Sequence, residues 1–312
     1  MKSHPASRET IHRAAGLIAA GRLVAFPTET VYGLGANAEK PSAVARIFEA
    51  KGRPRFNPLI SHLVDLEAAR RQGRFTPRAE ALADAFWPGP LTLVLPVCET
   101  TTICDLARAG LDTVALRVPA HSVARQLLEE AGCPVAAPSA NPSERLSPTR
   151  ANDVLDGLGD AVDMVLDGGA CTVGLESTVV QVIGNDAWLL RPGGLALEDL
   201  EAVVGTLRLA DDDTPDQPRS PGQMRRHYAP QARLRLNAEA AREGEVFLGF
   251  GPDGANAEMN LSAKGDLREA AANLFGFLRR LDEQGATAIA VAPIPNKGLG
   301  RAINDRLVRA AR

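Results

Sequence analysis

Three cations fall within five residues, Lys51, Arg53 and Arg55, on a loop held stiff by Pro54 and Pro58. Most short charge runs are solvated loops, but Arg53 lies between Gly52 and Pro54, where a long side chain has little local packing to make. Asn57 and His62 flank it with amide and imidazole donors suited to a phosphate or a carboxylate. Upstream, the apolar run from Leu23 to Phe26 stops at Pro27 and gives way to Thr28, Glu29, Thr30 and Tyr32. Polar side chains gathered where a strand ends occupy a ligand position in an open α/β sheet. A second polar group, Ser139 and Asn141, follows the short apolar segment Pro134 to Ala137, and strand alternation predicts that the two point the same way. Arg117 interrupts an otherwise apolar run, so it needs a partner. Two readings stand: a core arginine paired with a carboxylate such as Glu29 or Glu176, or a cation for a ligand. Glu176 and Ser177 read equally well as ordinary strand residues. His227 and Tyr228 sit in a linker that otherwise needs no aromatic, which suggests that the linker lies down on something, as a lid would.

These groups need a framework, and 312 residues with 45% hydrophobic content can bury a substantial core, with length favouring two domains. The formal net charge of -3 excludes a global field that would draw the whole protein to nucleic acid or anionic lipid, so anion recognition must be local. The four cysteines, Cys98, Cys104, Cys133 and Cys171, have neither zinc-finger nor redox spacing and read as reduced thiols. No apolar window has the length of a signal peptide or a membrane span, and the chain is expected to be cytoplasmic and away from the membrane.

Periodicity predicts a helix over residues 8–20, the strand at Leu23, a short helix from Ala43 to Glu49, and a strand from Leu59 to Val64. A helix from Pro77 to Ala85, strands from Leu91 and Thr113, and a helix from His121 to Ala131 follow. Three further strands, near Met164, Ser177 and Trp188, and a helix from Leu197 to Val204 close the unit. Such alternation argues an α/β fold with a mixed sheet. Composition then shifts over 206–231, a proline-rich, acidic stretch read as a linker. The expected division is a catalytic domain at 1–205, the linker at 206–231, and a small βαβ domain at 232–312. GFGPDG, Gly249 to Gly254, matches a dinucleotide fingerprint but opens no helix, so a glycine-rich turn is the better reading; no P-loop string or HExxH occurs.

FPTETVYGLGANA, KGRPRFNPLISH, LRVP, PSANPS, LESTVV, LLRPG, RRHYAP and GLGRAINDRLVRAA, in that order, resemble the Sua5/YrdC family in its long form with an extra C-terminal domain. The resemblance implies a YrdC-like open twisted mixed sheet with helices, and a small Rossmann-like α/β domain after it. It implies synthesis of threonylcarbamoyl-adenylate and pyrophosphate from L-threonine, bicarbonate and ATP with Mg2+. That is the first stage of the t6A modification of tRNA, with threonylcarbamoyl transferase proteins as downstream partners. Carried over residue by residue, it assigns threonine to Thr30, His62, Arg117, Ala137 and Ser177. ATP goes to Arg53, Asn57, Thr113, Ser139, Asn141, Ser147, Arg191 and Tyr228, with Lys51 and Arg53 as the catalytic pair and no protein metal site. The competing class is an RNA-binding module gripping tRNA or rRNA phosphates through the basic loop, against which the overall acidity and the missing aromatic platform weigh.

Overall fold

In the computed structural model, which describes residues 2–210, 228–254 and 256–311, a short strand β1 (Ser3–Pro5) precedes the first helix. Helix α1 (Arg8–Ala19) starts in a capping box of Ser7 and Thr10 and buries Ile11, Ala14, Ala15 and Ile18. Strand β2 (Val24–Phe26) pairs antiparallel with β3 (Gly33–Asn37), a strand whose two glycines hide it from propensity. Helix α2 (Pro41–Lys51) begins at a proline, where no N–H is needed, and stops at Gly52 in the left-handed region, φ 60°. It runs beyond the predicted Ala43 to Glu49 at both ends, which puts Lys51 in its last turn.

Next come β4 (Ile60–His62), α3 (Leu66–Arg70), α4 (Pro77–Phe86), capped by Thr76, and β5 (Leu91–Pro96). The alternation continues through α5 (Asp105–Arg108), β6 (Thr113–Arg117), α6 (Ser122–Ala131), β7 (Val135–Ala136) and α7 (Ala151–Leu158). Then β8 (Met164–Asp167), β9 (Thr178–Ile183), β10 (Asp186–Arg191), α8 (Leu197–Val204) and β11 (Arg208–Leu209) complete a mixed eleven-stranded sheet. Its order is β1-β8-β2-β3-β7-β4-β6-β5-β9-β10-β11. The α/β class and mixed sheet expected from the sequence are therefore present. The short α3, α5 and α7 escape prediction because a helix of one or two turns shows too little periodicity to stand out.

Alternation along the strands splits the core. Val24 and Phe26 pack with α1 and α6 on one face, while Ala25 joins the larger cluster with α2 on the other. A small apolar group, Ile60, Val94, Ala115, Val179 and Leu190, marks a third region, over β4, β5, β6, β9 and β10.

The remaining strands, β12 (Arg233–Arg235), β13 (Val246–Gly249), β14 (Met259–Asn260) and β15 (Ala288–Val291), form a parallel sheet ordered β12-β15-β13-β14. Helices α9 (Leu267–Glu283) and α10 (Gly300–Ala310) pack with it. The GFGPDG turn folds onto itself: Asn260 Nδ2 donates to the Gly251 carbonyl at 2.9 Å, and a Cβ on Gly249 would meet the Gly254 oxygen at 2.8 Å. Among the described residues only a three-residue 3-10 turn, Pro252–Gly254, forms there, and no α-helix opens as a pyrophosphate site would require.

The core of this second unit continues into the first, since Val31, Leu146, Leu175 and Tyr228 share one buried cluster with α9 and α10. Contact is closest at Gly174, φ 73°, where a Cβ would lie 2.5 Å from Ala272 Cα. Arg279 of α9 also donates to the Leu146 carbonyl at 3.2 Å. Gly174→Ala combines a forbidden backbone region with this clash. It is expected to cost about 2 kcal/mol, lowering the melting temperature by about 4–8 °C in calorimetry, whereas a shift under about 1 °C would show that the seam yields freely.

Candidate active site

Where β4 and β6 end, a small cavity is lined by Thr30, His62, Arg117, Ala137 and Ser177. Arg53, Ser139, Glu176, Arg191 and Tyr228 line it with them. Val31, Ile60 and Pro138 add apolar surface, and the space measures about 40 Å³, room for a few waters only. A larger cavity of about 420 Å³, between β10, β11 and α10, gathers none of the side chains singled out in the sequence.

Arg117, at the end of β6, donates from Nη2 to Glu29 Oε1 at 2.6 Å, from Nη1 to Thr30 Oγ1 at 2.9 Å, and from Nε to the Gly89 carbonyl at 3.3 Å. Of the two readings of this arginine, the ion pair is with Glu29 rather than Glu176, and yet the guanidinium still lines the cavity. The other oxygen of Glu29 accepts from the backbone of Ala120 and His121, at 3.0 and 3.3 Å. Burial would raise the Glu29 carboxyl, but the charge and hydrogen bond of Arg117 outweigh it and hold it below its ordinary range. Thr28 and Thr30 share a hydroxyl contact of 2.8 Å, and Thr28 donates to the Val31 carbonyl, which fixes the polar corner after β2. His62 packs edge-on against Phe26, its Nδ1 buried without a hydrogen-bond partner among the described residues. Burial, reinforced by Arg117, pulls its imidazole down to about 3, so it is neutral near pH 7.

The three expected loop cations separate. Arg55 is exposed, whereas Lys51 and Arg53 are buried. Arg53 donates from Nη2 to the Pro58 carbonyl at 2.9 Å and from Nε to the Asn57 carbonyl at 3.3 Å. Burial, with Arg191 nearby, pushes its guanidinium down to about 9. Lys51 lies behind the lining: Nζ donates to the carbonyls of Ser139, at 2.6 Å, and Asn141. Burial, and then Arg53, drives its ammonium well below the ordinary lysine value.

The expectation that Ser139 and Asn141 face the same way is not met. Strand β7 ends at Ala136, so the pleat no longer dictates direction. Ser139 lines the cavity, while Asn141 Nδ2 donates to the carbonyls of Pro142 and Arg145, at 2.8 and 2.9 Å, and braces its own loop. Arg191 donates from Nη2 to the Ser177 carbonyl at 2.8 Å, and the Ser177 hydroxyl meets that of Thr92 at 2.7 Å. The RPGG turn makes this possible, because a Cβ on Gly193 would sit 2.4 Å from the Glu176 oxygen. Asn57, Thr113 and Ser147 lie outside the immediate lining. The register pairing Ile60 with Ala115 sets Thr113 level with Pro58, beside the Arg53 loop, and Ser147 Oγ donates to Glu176.

Tyr228, φ 62° and 1% exposed, closes one side of the cavity. Its ring stacks on Phe275 at 5.7 Å, and the next residue, Ala229, donates to the Glu144 carbonyl at 2.9 Å. His227 lies outside the described residues. Sequence reasoning left two participants off the site, Glu176 and Arg306. A charge at the mouth of an apolar strand could have flagged the first. The second occupies the same helical stripe as Ile303, Leu307 and Ala310, a signal of burial for a residue type that is seldom buried. Glu176 is the only carboxylate among the lining residues and is engaged by Ser147 and Arg306, so these donors do not form a resident magnesium site.

Buried guanidinium groups, a neutral imidazole and several hydroxyls around one small cavity define an α/β protein with a buried, cation-lined polar site. Residues 16–193 match the Sua5/YciO/YrdC family, described as "Telomere recombination", and residues 195–312 match "Threonylcarbamoyl-AMP synthase, C-terminal domain". The threonylcarbamoyl-AMP synthase of Pyrococcus abyssi is 42% identical over 320 residues, covering 96% of this chain and 94% of that protein. That of Bacillus subtilis is 39% identical over 321 residues, covering 96% and 92%. The crystal structure of P. abyssi Sua5 complexed with L-threonine superposes with a TM-score of 0.91 at 41% identity, covering 99% of this chain and 96% of that one. The chain belongs to the Sua5/YrdC family, in the long form that carries the C-terminal domain.

The buried His62 makes stability depend on acid. Its value falls from 6.5 to about 3 on folding, so the unfolded chain binds the extra proton between those limits. Stability from this group is complete above pH 6.5 and lost as pH drops toward 3, at about 1.4 kcal/mol per pH unit. In denaturant titrations from pH 7 to pH 4, His62→Gln should lose less stability than wild type; parallel curves would show that His62 is protonated in the folded protein.

Proposed function

We propose that the protein is an L-threonylcarbamoyladenylate synthase, joining L-threonine, bicarbonate and ATP into threonylcarbamoyl-AMP with release of pyrophosphate. The observation that carries the reading is the convergence of Arg117, Arg53 and Arg191 on one buried space. Family membership and a relative described in complex with L-threonine support it.

Threonine is assigned to the side of Thr30, His62, Arg117, Ala137 and Ser177, its carboxylate beside Arg117 and its hydroxyl among the neutral donors and acceptors. ATP is assigned to the side of Arg53, Ser139, Arg191 and Tyr228, with Asn57, Thr113 and Ser147 supporting that side from behind and Lys51 and Asn141 fixing the Ser139 loop. The threonine amine and bicarbonate form a carbamate with loss of water. A carbamate oxygen then bonds to the α-phosphorus as the bond to the pyrophosphate oxygen breaks. His62, near 3, is a poor base, and the carbamate oxygen carries no proton to remove. Acceleration on this reading comes from holding the carbamate against the α-phosphate and from fixed positive charge facing the charge that develops there.

A space of about 40 Å³ is smaller than ATP, so on this reading nucleotide binding displaces part of the wall, and Tyr228, in the linker predicted to act as a lid, is the part assigned to move. Magnesium enters with the nucleotide, as part of the substrate. We further assign residues 1–205 to catalysis and 232–312 to the second domain. Threonylcarbamoyl transferase proteins in the cytoplasm are the expected consumers of the adenylate, with tRNA as final acceptor. No helix among the described residues is long and apolar enough to cross a membrane. The RNA-binding alternative fits poorly, because cations enclosed like Lys51 and Arg53 cannot reach a duplex backbone.

The test is purified protein with ATP, bicarbonate and each standard amino acid in turn, with pyrophosphate as readout. Release is expected with threonine only and only with bicarbonate, and Arg53→Ala should lower kcat/KM for ATP by about 100-fold or more. Near-normal release from that variant would defeat the electrostatic account, and nucleic-acid affinity that collapses with salt while no pyrophosphate forms would defeat the synthase reading.

A further inference from the structure

Arg306 belongs to α10, in the second unit, yet its side chain reaches the wall of the cavity. It is 1% exposed, and its Nε donates to Glu176 Oε2 at 2.8 Å. Nη1 donates to Asp305 at 2.5 Å, and the guanidinium carbon stands 4.8 Å from the centroid of the Tyr228 ring. Glu176 in turn accepts from Ser147 with its other oxygen and lines the cavity beside Arg191. One side chain from the far end of the chain therefore touches both the carboxylate in the cavity wall and the aromatic ring that closes it.

The position has an electrostatic consequence. Glu176 is the one acidic group on a lining otherwise suited to anions, and an uncompensated carboxylate there would repel a polyphosphate or draw Arg191 away from it. Stability alone does not account for a fully buried arginine on an apolar stripe, since an apolar residue of similar volume is generally as stable or more so. Charge control of the cavity does.

Resting on the synthase reading above, we propose that Arg306 is a positioning residue of the nucleotide side. It neutralises Glu176 and thereby keeps Ser147 and Arg191 in place, so that the C-terminal unit completes the electrostatics of the ATP site. Arg117, assigned to the threonine carboxylate, is held by Glu29, which Arg306 does not touch. The two substrates should therefore respond differently to its loss, which general unfolding would not produce.

The experiment measures ATP and threonine binding by calorimetry on the full chain, a readout that needs no turnover. Arg306→Met is expected to weaken ATP binding by about tenfold or more and threonine binding by less than about threefold. Adding Glu176→Gln to Arg306→Met should restore ATP affinity to within about threefold of wild type, because the charge that needed a partner is gone. A parallel loss of both substrates, or a double variant no better than the single one, overturns the proposal. Should Arg306→Met fail to fold, Glu176→Gln alone carries the test: ATP must bind more tightly, and unchanged or weaker binding overturns it. Wild-type protein that binds ATP but releases no pyrophosphate with threonine and bicarbonate would refute the synthase reading while these binding comparisons still decide the role of Arg306.

Discussion

Positive charge taken out of water around one small space is the constraint on which this structure depends. A buried guanidinium or ammonium group is costly unless dipoles or a counter-charge replace its lost hydration. Each cation here is held in one of two ways. Lys51, Arg53 and Arg191 rest on backbone carbonyls, of Ser139 and Asn141, of Asn57 and Pro58, and of Ser177. Arg117 and Arg306 instead rest on carboxylates, Glu29 and Glu176. Carbonyl dipoles orient a charge without cancelling it. Glu176 also acts on Lys51 and Arg191, so the two groups are not electrically separate.

The depressed values of Arg53 and Lys51 reflect burial and the cations beside them. His62 lines the cavity in its neutral form, packed edge-on against Phe26.

The second unit is bound into the first at three kinds of contact. Gly174 admits α9 at backbone distance, the shared apolar cluster runs from Val31 to Phe275, and Arg306 carries a charge across the seam to Glu176. Tyr228 lies between Phe275, Arg306 and the cavity, so it touches the packing of the second unit and the wall of the cavity at once.

Much of this was written in local patterns. Polar residues after the Leu23 run, the basic loop, the isolated Arg117 and the amphipathic helices α1 and α6 follow from periodicity and from the cost of burying charge, and both act over a few residues. Runs weak in propensity stayed hidden: β3, with its two glycines, and α3, α5 and α7, too short for a visible stripe. What only the tertiary structure decided was partnership across distance. It chose Glu29 rather than Glu176 for Arg117, turned Asn141 into its own loop while Ser139 met the cavity, and separated Lys51 and Arg53 from the exposed Arg55. It also brought Arg306 to a carboxylate 130 residues away. The composition of a stretch states that a charge needs a counterpart; which counterpart it meets depends on sheet order and on the docking of two units, and no window of the chain contains that information.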